Sequence, residues 1–231
     1  MRATWLGHGC FKFTTSSGQT ILADPWVDGN PACPASMKTF DRLDTLLITH
    51  GHFDHIADAV SLAKKHQPKQ VVGIYELCAW LEGKGVENTL AMNKGGSAQA
   101  GDLNVTMVHA DHSCGIMDDG KIVYGGEAVG YIVRGDGKTL YFSGDTNVFG
   151  DMKLIADLYH PEVAFIPIGD LFTMGPREAA AAAKMLGAKI IVPMHFATFP
   201  ALTGTPAALR DLLAGSGIEV HDLKPGESFD L

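Results

Sequence analysis

The order of segments predicts an α/β fold in which two sheets pack face to face with helices outside. Three observations predict it. In each half of the chain, strand-like runs come first and helix-like stretches follow. The 231 residues suffice for one large α/β domain with a sizeable core. Hydrophobic residues make up 46% and charged residues 19%, an ordinary globular balance.

Taken in order, segments 3–6, 11–15 and 19–23 read as short strands, the last two joined by a Ser16-Ser17-Gly18 turn. An apolar run of strand length covers 45–49, and apolar positions at helical spacing follow over 56–65. Next come a buried strand at 70–74 and a short helix at 76–81. Strands at 103–108, 128–133 and 139–143 precede a helix at 149–158. A strand at 162–168 leads to a helix at 176–186, where Pro176 suits the first helical position. A strand at 189–193 and a helix at 206–214, ending before Gly215, complete the pattern. The alanine run 179–183 reads as a close-packed helix face.

Composition narrows the function classes. No apolar run is long enough to cross a bilayer, so no membrane partner is expected. The N-terminus moves straight into a strand pattern without the apolar core of a secretory signal, which makes a cytoplasmic location the default expectation. Cys10, Cys33, Cys78 and Cys114 form no C-x-x-C pair and read as reduced thiols. The formal charge of −8 argues against a nucleic-acid partner, which needs clustered Lys and Arg.

The informative segment is Thr49-His50-Gly51-His52-Phe53-Asp54-His55. Three histidines and an aspartate fall within six residues, directly after an apolar strand. His50 and His52 share one orientation if the chain stays extended, because side chains alternate with a period of two. Asp54 and His55 then leave the turn at the start of the next helix and face a second point. Neutral imidazole and carboxylate are ligands that Zn²⁺, Mn²⁺ and Fe²⁺ accept.

This H-x-H-x-D-H pattern after an apolar strand resembles the signature of the metallo-β-lactamase superfamily. Later pieces arrive in that family's order: His112, Asp145 within Ser143-Gly144-Asp145-Thr146, and His195 after Ile190-Ile191-Val192-Pro193-Met194. The segments Gly7-His8-Gly9, Ala23-Asp24-Pro25, Pro167-Ile168-Gly169-Asp170 and Thr173-Met174-Gly175-Pro176 look similar to the compact metal-dependent hydrolases related to ascorbate-phosphate lactonase. The resemblance covers essentially the whole chain. It implies a four-layer αβ/βα sandwich of two mixed sheets flanked by helices, built as a single domain over 1–231.

It also implies two sites. His50, His52 and His112 would hold the first metal; Asp54, His55 and His195 would hold the second; Asp145 would bridge them. A carboxylate suits the bridging role because each oxygen can take one cation. Two carboxylates against two divalent charges leave a net positive centre, which lowers the pKa of a shared water. The third ligand of the first site is His112 or His109, with His112 preferred from the form Ala110-Asp111-His112-Ser113. Around the metals, His8 is expected near the pocket. Asp24 either holds a ligand histidine by its free ring N–H or simply ends a strand. Asp170 either belongs to the pocket or caps the segment that follows. Cys114 reads as a small buried residue rather than a reactive thiol.

The implied activity is hydrolysis of a small ester, lactone or phosphoester by a metal-bridging hydroxide, with Asp54 helping to hold or deprotonate the attacking water. Two Zn²⁺ ions are the first choice, with Mn²⁺ and Fe²⁺ open. The alternatives are a mono-iron oxygenase acting on a thiol-derived substrate and a phosphodiesterase acting on a nucleotide-type substrate. The expected partner is a small-molecule substrate, and a homo-oligomer that completes the pocket rim stays open.

Overall fold

The computed structural model describes the whole chain, Met1–Leu231. Strands β1 (Arg2–Gly7), β2 (Cys10–Thr14) and β3 (Thr20–Ala23) form an antiparallel meander. The chain then turns parallel. Strands β4 (Thr45–Leu47), β5 (Gln70–Ile74) and β6 (Thr89–Met92) each pair beside the one before. Parallel neighbours need a crossover: the 24–44 loop supplies it between β3 and β4, helices α1 (Phe53–Ile56) and α2 (Ala59–His66) between β4 and β5, and α3 (Tyr75–Gly83) between β5 and β6.

The second half repeats this plan. Strands β7 (Ser97–Ala100) and β8 (Leu103–His109) are followed by a separate hairpin, β9 (Gly115–Asp118) and β10 (Lys121–Tyr124). Strands β11 (Val129–Gly135) and β12 (Lys138–Phe142) complete an antiparallel set with β7 and β8. Helices α4 (Met152–Tyr159) and α5 (Pro176–Leu186) lead to the parallel strands β13 (Val163–Pro167) and β14 (Ile190–Met194). Helix α6 (Pro206–Leu212) precedes β15 (Glu219–Val220), and β16 (Ser228–Asp230) crosses back to pair with β1.

Two seven-stranded mixed sheets result, ordered β16-β1-β2-β3-β4-β5-β6 and β15-β14-β13-β12-β11-β8-β7. Between them lies an apolar core in which Phe11 and Phe13 of one sheet meet Phe142 and Phe165 of the other edge to face. On the outer side of the second sheet, Ala179, Ala180, Ala182 and Ala183 bury the tight face of α5 with Ile166 and Ile191. The αβ/βα sandwich expected from the sequence is the architecture observed. No helix is long and apolar enough to cross a membrane.

Three local differences have physical causes. The helix expected over 56–65 is broken into α1 and α2, because Asp58 is tied to the 25–28 loop. Its N–H donates to Pro25 O, and its carboxylate accepts from the N–H groups of Val27 and Asp28. The strand expected over 45–49 ends at Leu47, and the Thr49 N–H leaves the ladder for the Asp24 carboxylate. The hairpin β9–β10 was missed although its turn is readable: Asp119 and Gly120 both have positive φ, 48° and 75°, as an Asp-Gly hairpin turn requires.

Candidate metal centre

The site forms at one edge of the sandwich, where β1, β4, β12 and β14 end. Beyond β4 the chain runs through Thr49 and His50 to His52, the N-cap of α1. The His52 side chain makes no capping bond, so its imidazole is free to turn inward. Asp54 and His55 lie in the single turn of α1. His112 comes from the loop after β8, Asp145 from the loop after β12, and His195 from the residue after β14. His8 sits in the β1–β2 turn. Two glycines allow the close approach of these loops. A Cβ on Gly9 would lie 2.7 Å from His55 Cε1, and one on Gly144 would lie 2.5 Å from Thr49 Cβ.

The donor atoms gather into two groups. His50 Nε2 lies 3.1 Å from His52 Nδ1, and His112 Nε2 lies 3.3 Å from the same atom. The second group holds Asp54, His55 and His195, joined by His8. Asp145 stands between them: its Oδ2 is 3.0 Å from His195 Nε2, 3.3 Å from His55 Nε2, and 3.8 Å from both His50 Nε2 and His112 Nε2. The structure thus brings together all seven residues expected to bind metal. It takes His112, not His109, to His50 and His52. His109 instead has its Nδ1 3.1 Å from Lys94 Nζ.

Partners behind these side chains orient them. His55 Nδ1–H donates to Asp24 Oδ2 at 2.8 Å. His50 Nδ1–H donates to Thr49 Oγ1 at 3.0 Å, and the Thr49 hydroxyl donates to Asp24 Oδ2 at 2.8 Å. The fully buried Asp24 therefore fixes two imidazoles at once, and both Nε2 atoms point inward. His55 Nε2 and Asp145 Oδ1 are buried and have no hydrogen-bond partner. Buried polar atoms left this way are costly, and inward-facing imidazole nitrogens beside carboxylate oxygens are the donor set for a divalent cation. The residues fit the metals that the sequence suggested.

Electrostatics without a cation point the same way. Burial opposes charge on His55, but the Asp145 and Asp24 carboxylates outweigh it and push its pKa well above the usual histidine range. Burial likewise opposes charge on His195, yet Asp145 and Asp54 push it up to about 9. Asp145 and Asp54 fall well below the carboxylate range, because neighbouring histidines overcome burial. His50, His52 and His112 are pushed down by burial and by neighbouring imidazoles, which favours their neutral form.

His8 is buried, and burial pushes its pKa down to about 4. As a neutral ring it donates Nε2–H to Asp54 Oδ2 at 2.9 Å and packs on His195 with ring centroids 3.9 Å apart. Asp170 is exposed; its carboxylate accepts the N–H of Leu171 at 2.8 Å, while Leu171 and Phe172 beside it line the cavity. Cys114 is buried, with Sγ 3.1 Å from Gly125 O, and burial pushes its pKa up to about 11. Sequence reasoning missed Thr49, whose part depends on a contact 25 residues away, and Ser113, whose Oγ lies 3.2 Å from His52 Nε2. It also missed the apolar cavity walls.

A family model described as the beta-lactamase superfamily domain matches residues 19–196. A UPF0173 metal-dependent hydrolase of Solibacter usitatus is 59% identical over 228 residues, covering 98% of each chain. One from Koribacter versatilis is 55% identical over 230 residues, covering 99% of this chain and 97% of its own. Among solved structures, Igni18, a metallo hydrolase from the hyperthermophilic archaeon Ignicoccus hospitalis, superposes with a TM-score of 0.86 at 31% identity, covering 100% of this chain and 98% of its own.

Proposed function

The chain belongs to the metallo-β-lactamase superfamily, among the UPF0173 metal-dependent hydrolases, and from that premise we propose that it hydrolyses a small ester, lactone or phosphoester at a centre of two divalent cations. His50, His52 and His112 hold one cation, Asp54, His55 and His195 the other, with Asp145 between them. Zn²⁺ is the first choice, with Mn²⁺ and Fe²⁺ as the other metals this donor set accepts. The whole of 1–231 acts as one domain, because the ligands come from both sheets.

One observation carries the reading. Four histidines, His50, His55, His112 and His195, converge on the Asp145 carboxylate, and the anchored Nδ1 groups of His50 and His55 leave their Nε2 atoms facing inward. Bound divalent cations supply Lewis acidity and lower the pKa of water towards neutrality. The protein's own residues do the rest. Asp54 lies on the cavity floor and is oriented by the His8 N–H. There it can accept a hydrogen bond from the attacking water. Its carboxylate is held far below the usual range, so it orients that water and is a weak base. Ser113 holds His52 from the outer side.

The test is elemental analysis of protein purified without added metal, paired with hydrolysis of p-nitrophenyl butyrate and bis-p-nitrophenyl phosphate. About two equivalents of zinc or manganese per chain, with turnover, is the expected result. About one equivalent of iron with thiol-dependent oxygen uptake would replace this reading with the mono-iron oxygenase. Equal hydrolysis after Asp54→Ala would remove the dinuclear centre.

A further inference from the structure

The cavity above Asp54 and Asp145 has a volume of about 820 Å³, within the range of small-molecule sites. Its floor is polar, made by the ligand residues. Its walls are apolar: Phe53, Met117, Ile122, Leu171, Phe172 and Phe199. They come from four places in the chain, namely α1, the β9–β10 hairpin, and the loops after β13 and β14. Ile122 is 75% exposed and Leu171 65%. Single exposed apolar side chains need no explanation, but a set that rims a polar floor does.

Two further observations point to what these walls meet. Leu171 is held at φ 50°, a left-handed conformation that leucine rarely adopts. Its N–H is fixed by the Asp170 carboxylate, and its side chain stands over the cavity. The lining also contains no Lys or Arg, in a chain with a formal charge of −8. A nucleotide or other polyanion needs cationic partners beyond the scissile group.

We infer that the substrate is an uncharged carboxylic ester or lactone whose apolar acyl portion lies along the wall of Met117, Ile122, Leu171 and Phe172, with its carbonyl at the polar floor. This rests on the hydrolase reading and selects within it, favouring esters and lactones over phosphodiesters. In the reaction, water oxygen bonds to the acyl carbon and the acyl C–O bond breaks. The leaving oxygen takes a proton from that water, giving a carboxylic acid and an alcohol with no change of oxidation state.

The test uses zinc-loaded protein and p-nitrophenyl esters from acetate to hexanoate. Burial of each added methylene raises kcat/KM about fourfold, so the series spans on the order of 10²-fold. Ile122→Asp and Phe172→Ser flatten the series. A binding measurement separates this inference from the hydrolase reading: octanohydroxamate binds at least tenfold tighter than acetohydroxamate by calorimetry, whether or not any ester turns over. Equal hydroxamate affinities, or a flat ester series, would overturn the apolar acyl wall while leaving a hydrolase. Faster turnover of bis-p-nitrophenyl phosphate than of any ester would overturn the choice of carboxylic ester. Sedimentation that finds a dimer broken by Ile122→Asp, with a flat ester series, would reassign the wall to a subunit contact. If neither hydroxamate binds, the inference falls with the metal centre beneath it.

Discussion

Asp24→Asn isolates the part played by the carboxylate that sits behind the ligands. Asp24 has φ 47°, a region that asparagine tolerates as well as aspartate does, so the backbone has no reason to move. The change is chemical. Oδ1 accepts the Thr49 N–H at 2.8 Å, while Oδ2 accepts both the Thr49 hydroxyl and His55 Nδ1–H at 2.8 Å. An amide has one acceptor oxygen, and the fixed Thr49 N–H claims it. The NH₂ then faces His55 Nδ1, and two donors cannot share that line. His55 must shift its proton to Nε2, the atom that faces Asp145. A cation bound at Nε2 would need the ring proton on Nδ1, where Asp24 accepts it and the asparagine NH₂ opposes it. His50 is spared, since Thr49 Oγ1 still accepts from it. Loss of an outer partner lowers metal affinity roughly 10–100-fold, which is about 1.4–2.7 kcal/mol. Competition against a chromophoric chelator should find one of the two cations weakened by that factor and the other within about twofold. Unchanged affinity for both would refute the tautomer argument, and equal weakening of both would mean that the pocket had distorted.

Stripping metal with dipicolinate should lower Tm by about 8–16 °C, since saturation at about a thousand times Kd stabilises by roughly 4 kcal/mol; an unchanged Tm would mean that no metal was bound. The metal-free protein should lose stability as pH rises. His195 is raised from its ordinary 6.5 to about 9, so its contribution is complete below 6.5 and lost through 9; a metal-free Tm that climbs over this range would reverse the argument. Gly9→Ala should cost about 1–3 kcal/mol by overpacking and weaken metal binding, because the new Cβ falls 2.7 Å from His55 Cε1. Denaturant unfolding and the same chelator titration read both effects. All four cysteines are buried, and burial pushes Cys33 and Cys114 up to about 11 and Cys78 up to about 12. Ellman's reagent at pH 8 should therefore find no reactive thiol in the folded chain and four after unfolding.

The seven residues proposed as ligands were picked out in the sequence because their chemistry is local or ordered along the chain. The H-x-H-x-D-H run lies within a single strand-to-helix turn, and a strand end directs side chains in a way that a spacing can carry. His112, Asp145 and His195 were reached through resemblance, since nothing in their own neighbourhoods requires convergence. The buried strands β5, β8, β11 and β13 were readable from continuous apolar runs. Strands β6, β7, β15 and β16 were not, because edge strands of two to four partly exposed residues carry little apolar signal. The Thr49–Asp24 link could not be seen either. Either residue alone looks like an ordinary strand-end polar group, and only the parallel pairing of β3 with β4 brings them together. The apolar walls were invisible for the same reason, being assembled from four distant segments.

Backbone conformation ties these pieces to function. Eleven non-glycine residues have positive φ. Gln67 and His160 are helix C-caps, and Asp119 and Asp136 lie in hairpin turns, where such angles are routine. His8, Asp24, Asp170, Leu171, His195 and Ala197 are different, because all lie on loops at the one edge that carries the histidines. Left-handed conformations of this kind cost on the order of 1–3 kcal/mol each, and only over-determined surroundings sustain them. Cross-sheet contacts provide those surroundings: the His195 N–H donates to His8 O at 3.1 Å, joining the end of β14 to the β1–β2 turn. Behind it, Gly169 leaves room for the His195 carbonyl, which would lie 2.1 Å from any Cβ there. The sandwich core therefore does more than stabilise the fold. It holds strained loops from both sheets in register, so that His8, Asp54, Asp145 and His195 meet at one point.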